Sequence, residues 1–247
     1  MPVYYPMDDI HLNIARGLVK GTSFVHKFGA VPAMSTGVTG TIWDKNDTLY
    51  PWSAFSTPGT LTIATTAAND TPSTADSGKT VTIFGLDANF NQVSETIAIS
   101  GSSGTGTQVF SRVFRAFTSA ENLTRIKVSR GATEVLRISI GKSQTLMAVY
   151  TIPAGHTGYL TQGTASILYG GDATIDMFVR YASSGAFRIG HTAEVAGTGM
   201  PYNYKFTVPI ALPEKTDIDV RATVRSNNSR VTAAFDIILI QDSLGGG

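Results

Sequence analysis

Cysteine is absent from the chain, which removes disulfides, zinc thiolate sites, iron–sulfur clusters and cysteine nucleophiles together. Stability is left to packing and subunit association. Charge is nearly as sparse: 15% of the residues are Asp, Glu, Lys or Arg, and the formal net charge is +1. The basic excess of a general nucleic-acid binder is therefore missing. No apolar run approaches the ~18 residues that span a bilayer. The start, Met-Pro-Val-Tyr-Tyr-Pro-Met-Asp-Asp, lacks the basic-then-apolar order of an export signal. The expectation is a soluble protein that partners neither membrane nor nucleic acid. Helix-favouring composition is thin as well, since Thr, Ser and Gly number 32, 21 and 25 and make up 78 of the 247 residues. That usage suits short strands and turns, and the length leaves room for one large or two medium cores.

Residues 1–29 read apart from the rest. Pro2 and Pro6 favour extended backbone around Tyr4 and Tyr5. Ile10, Ile14 and Leu18 then fall at helical spacing, behind Asp8 and Asp9 and ahead of Lys20 and Gly21. Ile10, Leu12 and Ile14 alternate equally well as a strand, so periodicity leaves helix and strand open. Either form carries enough apolar surface to need something to lie on, its own domain or a neighbouring chain. Tyr4, Tyr5, Ile10 and Ile14 are the candidate partner-binding residues of such an arm.

From about residue 30 the pattern is strand and turn. The clearest hairpin runs Val81–Leu86, turns through Asp87-Ala88-Asn89-Phe90-Asn91-Gln92 and returns over Val93–Ile99. Further strands are predicted at 109–117, 125–129 and 135–140. After the break Gly141-Lys142-Ser143-Gln144 a second set follows at 146–152, 158–168, 173–181, 204–210, 218–224 and 231–240. Without crossover helices this reads as an all-β chain of two β-sandwich or jelly-roll-like domains, 30–140 and 141–247, behind an arm or short helix at 1–29.

No motif for chemistry survives inspection. His11, His26, His156 and His191 are isolated, with no partner at ligand spacing. Gly78-Lys79-Thr80 and Gly141-Lys142-Ser143 lack the leading glycine and the following helix of a phosphate loop. Asp87, Asn89 and Asn91 have the oxygen spacing of a calcium loop, but Gln92 and Ala98 stand where glycine and a bidentate Glu belong. Asp44, Asn46 and Asp47 are a weaker case, as are Asp217 and Asp219 on one strand face. Arg112, Arg115, Arg125, Lys127, Arg130, Arg137 and Lys142 would make a locally basic sheet face, solvated or turned to an acidic partner. Tyr159, Tyr169, Tyr181, Tyr202 and Tyr204 would serve a glycan groove or ordinary strand ends. No cofactor is implied.

The run Phe84-Gly85-Leu86-Asp87-Ala88-Asn89-Phe90-Asn91-Gln92-Val93-Ser94-Glu95-Thr96-Ile97, with Phe114-Arg115-Ala116 after it, resembles virion structural proteins of tailed bacteriophages, particularly short-tailed marine phages. So do Tyr150–Leu160, Ile210–Ala222 and Ala233–Ile240. The resemblance implies a non-enzymatic particle protein in head, neck or tail, and it transfers no functional residue. The expected function is a homo-oligomeric virion component, a capsid decoration or tail protein, docking on another virion protein through its N-terminal region. An adhesin or carbohydrate-binding module contacting host-surface glycan is the alternative. A glycan hydrolase would need two facing carboxylates roughly 5–10 Å apart, for which acids are scarce.

Overall fold

The computed structural model describes residues 9–169, 171–197 and 201–244. Within them sixteen strands, all paired antiparallel, account for nearly all regular structure, so the all-β expectation holds. The first sheet sets β1 (Thr22–Met34), β16 (Ser229–Gln241), β11 (His156–Leu168) and β14 (Tyr202–Leu212) side by side in the order β1-β16-β11-β14. The second has β2 (Thr39–Thr41) and β10 (Val149–Thr151) both on β15 (Asp217–Val224), followed by β12 (Ala173–Arg180) and β13 (Arg188–Val195). The period-2 alternation of β16 turns Val231, Ala233, Phe235, Ile237 and Leu239 inward. They meet Ile175, Ile218, Val220 and Val224 of the opposite sheet in one core.

A second core lies between two smaller sheets. One orders β6 (Ser103–Thr105), β3 (Thr62–Thr66), β8 (Arg125–Arg130) and β9 (Thr133–Ile138) as β6-β3-β8-β9. The other orders β5 (Gln92–Ala98), β4 (Thr80–Leu86) and β7 (Arg112–Thr118) as β5-β4-β7. Leu61, Ile63, Val81, Ile83, Ile126 and Leu136 are among its buried members.

The two bodies are not consecutive along the chain. β2 pairs with β15 at Thr41↔Arg221 and β10 at Val149↔Asp219, so the two short strands lie in line. Between them Ile42 donates its N–H to the Val220 carbonyl, and the Val220 N–H donates to the Ala148 carbonyl, at 2.8 and 3.1 Å. Ile42 and Ala148 together fill one position opposite Val220, where residues 43–147 leave the strand and return as the smaller body. An antiparallel bridge between Trp43 and Met147 ties the outgoing and returning chain together. Glycine is required beside this point: a Cβ on Gly29 of β1 would stand 2.3 Å from the Ile42 oxygen and 2.5 Å from the Ala148 nitrogen.

This arrangement corrects the expected division into 1–29, 30–140 and 141–247. Residues 22–29, assigned to the arm, are the first half of an edge strand in register with β16 from Thr22↔Ile240 onward. Residues 30–42, assigned to the first domain, belong with the C-terminal body through Val31, Met34 and Ile42. Of the former arm, Ile10–Ala15 forms helix α1, capped by the Asp9 side chain, which accepts from the N–H groups of His11 and Leu12 at 2.9 and 3.3 Å.

Candidate functional site

The seam between the bodies is built on β15. Its apolar residues Ile218, Val220, Ala222 and Val224 enter the larger core, and alternation sends Asp217, Asp219 and Arg221 to the other side. Asp219 is fully buried and accepts from Thr41 Oγ1 at 2.8 Å, Trp52 Nε1 at 3.0 Å and Arg221 Nη2 at 2.9 Å. Asp217 takes both Nε and Nη2 of Arg112, at 2.8 and 3.1 Å, the Arg180 guanidinium at 2.5 Å and Thr151 Oγ1 at 2.6 Å. Two carboxylates and three guanidiniums therefore share a largely buried network, in which paired charge-assisted bonds offset desolvation. The guanidiniums also lie over rings: Arg221 over Phe178 at 4.1 Å and Arg180 over Phe187 at 4.5 Å.

Beside this network opens a cleft of about 550 Å³, lined by Trp52, Phe55, Phe90, Arg112, Arg180 and Asp217 among others. Trp52 and Phe55 come from a short 3-10 turn of the smaller body, and Arg180 and Asp217 from the larger. Sequence reading paired Asp217 with Asp219 as a weak cation site and missed Trp52, Arg112 and Arg180 as their partners. The available signal was Asp217-x-Asp219-x-Arg221 on the non-core side of an apolar strand, which calls for compensating charge from another body.

Two further charged groups are buried, Lys27 across the seam and Asp44 within the smaller body. Lys27 donates to the Phe114 carbonyl; burial, helped by the Arg115 charge, lowers its pKa to about 7. Asp44, facing the Ser139 N–H at 3.3 Å, is pushed up to about 7 by burial.

The expected docking residues are not brought together as a group. Tyr4 and Tyr5 lie outside the described residues. Ile14 is buried at 7% exposure within its own chain and anchors α1, which corrects its assignment as a partner contact. Ile10 is exposed, and Leu12, Leu18 and Phe24 are exposed with it, so this stretch of chain retains four large apolar side chains open to solvent.

A second apolar surface covers the β13 and β14 edges. His191 donates or accepts at Tyr202 Oη, 3.0 Å away, and Tyr202, Tyr204 and Phe206 continue the row with neighbouring ring centroids 6.3 and 4.9 Å apart. The five tyrosines considered for a groove are dispersed: Tyr202 and Tyr204 share this row, Tyr181 borders the cleft, Tyr159 is half-buried on β11, and Tyr169 is 74% exposed.

The other candidates resolve into structure. Asp87 Oδ1 accepts from the N–H groups of Asn89 and Asn91 at 2.8 and 2.9 Å, a hairpin turn. Asp47 holds Ser35, and Asn46 holds the Ala33 N–H. Lys79 pairs with Asp76. The basic run is largely neutralised, with Arg125 and Lys127 on Asp70, Arg137 on Glu134 and Arg112 on Asp217. Among the described residues no group of three His, Asp or Glu converges, and no helix is long and apolar enough to cross a membrane.

No known protein family matches the chain, and no curated protein matches it. Among solved structures it is similar to that of infectious bursal disease virus Gx strain, at 10% identity and a TM-score of 0.26, covering 92% of this chain and 72% of that one. The Gt strain structure gives 8% identity and a TM-score of 0.22, with 90% and 73% covered. The crystal structure of the infectious bursal disease virus VP2 subviral particle gives 8% and 0.24, with 91% and 73% covered. Overlap this loose leaves any argument about function to the chain's own strand order and surfaces.

Proposed function

We propose that the chain is a non-enzymatic structural subunit of a virus particle, of the bacteriophage kind that its strand-and-turn phrases resemble, assembling as a homo-oligomer. The observation that carries this reading is the strand order of the larger body. Counting β2 and β10 as one interrupted strand gives eight positions, and the sheets then read first-eighth-third-sixth against second-seventh-fourth-fifth. Two Greek keys wound in this way make a jelly roll, an architecture used by viral capsid and lectin domains. The insertion leaves that roll intact and sets a second sandwich beside it.

Docking through the N-terminal region is part of the proposal. Ile10, Leu12, Leu18 and Phe24 are exposed on one stretch of chain, and the β1 edge beside them offers unpaired backbone groups to a neighbour. Immunogold electron microscopy of intact particles with an antibody to this chain tests the reading. Label at symmetric positions on the particle is the expected result; particles that lack the chain, together with a strictly monomeric purified protein, would overturn it.

A further inference from the structure

We infer that the cleft between the two bodies binds a small carboxylated saccharide, one or two sugar rings long. This inference does not rest on the virion reading and would hold for a free protein. The cleft's volume, about 550 Å³, lies within the ~300–1,000 Å³ of ordinary small-ligand sites, which favour domain junctions. Its walls combine the edges of the largely buried Trp52 and Phe55 and the half-buried Phe90 with cations, and its rim carries the exposed residues Ser53 and Ser56. A sugar acid has the matching surfaces: apolar C–H faces, hydroxyls and a single carboxylate.

The charge count selects an anion. Arg112, Arg180 and Lys215 line the cleft against one carboxylate, Asp217. The donors still available select a carboxylate over a phosphate dianion. Arg112 spends Nε and Nη2 on Asp217 and Nη1 on the Ser111 carbonyl. Arg180 spends Nε and Nη2 on Asp217, and its Nη1 has no partner among the described residues. Lys215 has only a 3.4 Å contact with Glu214. One guanidinium edge and one ammonium suit a monoanion, whose two oxygens accept from both.

The placement of Phe90 and Lys215 is the second observation. Both hold left-handed backbone, at φ 65° and 61°, which costs a bulky L-residue energy that glycine or asparagine would avoid. Both are fastened to the same crossing segment: the Ala154 N–H donates to the Phe90 carbonyl at 2.9 Å, and the Lys215 N–H donates to the Ile152 carbonyl at 2.8 Å. That segment thereby fixes an aromatic ring and an ammonium on one cleft, and the Phe90 ring lies 5.2 Å from the Arg112 guanidinium. Strain of this kind at a cleft wall marks a position kept for its side chain.

Isothermal titration calorimetry of the full chain with galacturonate, N-acetylneuraminic acid, maltose and inorganic phosphate tests the inference. At least one sugar acid is expected to bind at roughly millimolar concentration or below, and maltose and phosphate at least about tenfold more weakly. Phe90→Ala and Lys215→Gln alter loop side chains outside both cores; each is expected to weaken sugar-acid binding about tenfold without changing the melting temperature. The inference is overturned if neither sugar acid binds, if maltose or phosphate binds as tightly, or if both variants bind like the parent. Should one variant melt lower, the other alone decides.

Discussion

Asp219 shows how one side chain joins two bodies. It is fully buried and receives bonds from Thr41, Trp52 and Arg221, so truncation leaves a guanidinium and an indole N–H buried without their acceptor. Asp219→Ala is expected to cost about 3–5 kcal/mol, measured as a lower urea midpoint at unchanged slope. Lys27 and Asp44 act in the opposite sense, because burial opposes their charged forms. The folded-state pKa of Asp44 is raised from 3.8 to about 7, so the folded chain holds the proton longer and stability falls as pH rises across that window. The pKa of Lys27 is lowered from 10.5 to about 7, so the folded chain releases its proton earlier and stability recovers as pH rises above 7. Denaturation at a series of pH values should therefore show these two groups' joint contribution at its least favourable near pH 7. Asp44→Asn should flatten the acid limb and Lys27→Met the alkaline one; persistence of both limbs in the double variant would assign them to other groups.

Among the elements, β1 is the one whose role changed most. Its sequence, Thr-Ser-Phe-Val-His-Lys-Phe-Gly-Ala-Val-Pro-Ala-Met, breaks clean alternation with His26, Lys27 and Gly29, and reads as the end of an arm. Each break has a tertiary cause: His26 pairs across the sheet with Asp236 at 2.5 Å, Lys27 reaches Phe114 of the smaller body, and Gly29 passes against Ile42 and Ala148. Gly29→Ala should cost about 1–3 kcal/mol by forcing β1 off the split strand, read from thermal melting. Removing residues 1–20, by contrast, stops short of β1. The truncated chain should melt within a few degrees of the parent and fail to enter particles; normal incorporation would count against N-terminal docking. Another strand that the local pattern did not show, β13, carries Arg188, Gly190, His191 and Glu194 on an edge with few buried residues. Low apolar content there left no alternation to read.

At the scale of the whole molecule the insertion is the organising fact. Ile42 and Ala148 share one place opposite Val220, so the larger body is continuous without the smaller one. Replacing residues 43–147 by a short glycine link should leave a β-rich, cooperatively melting protein, because both ends of the excised segment already meet. Its melting temperature should drop, since Asp217 and Asp219 lose Arg112 and Trp52. Circular dichroism decides the matter; an unfolded product would mean that the larger sandwich depends on the smaller for its fold.

Composition and local pattern alone determined the all-β class, the hairpin at 81–99 and most later strands, because period-2 alternation and turn residues are local properties. They also excluded cysteine chemistry outright. Contacts between distant residues decided the rest: that residues 22–42 belong with the C-terminal strands, that one strand is split around an inserted sandwich, and that Asp217 and Asp219 are paired with arginine side chains. Arg112 and Asp217 stand 105 positions apart, and Ile42 and Ala148 are similarly remote. No local periodicity encodes which distant partner neutralises a buried charge or continues an interrupted strand. Those choices are made only when two complete cores press their remaining polar faces together.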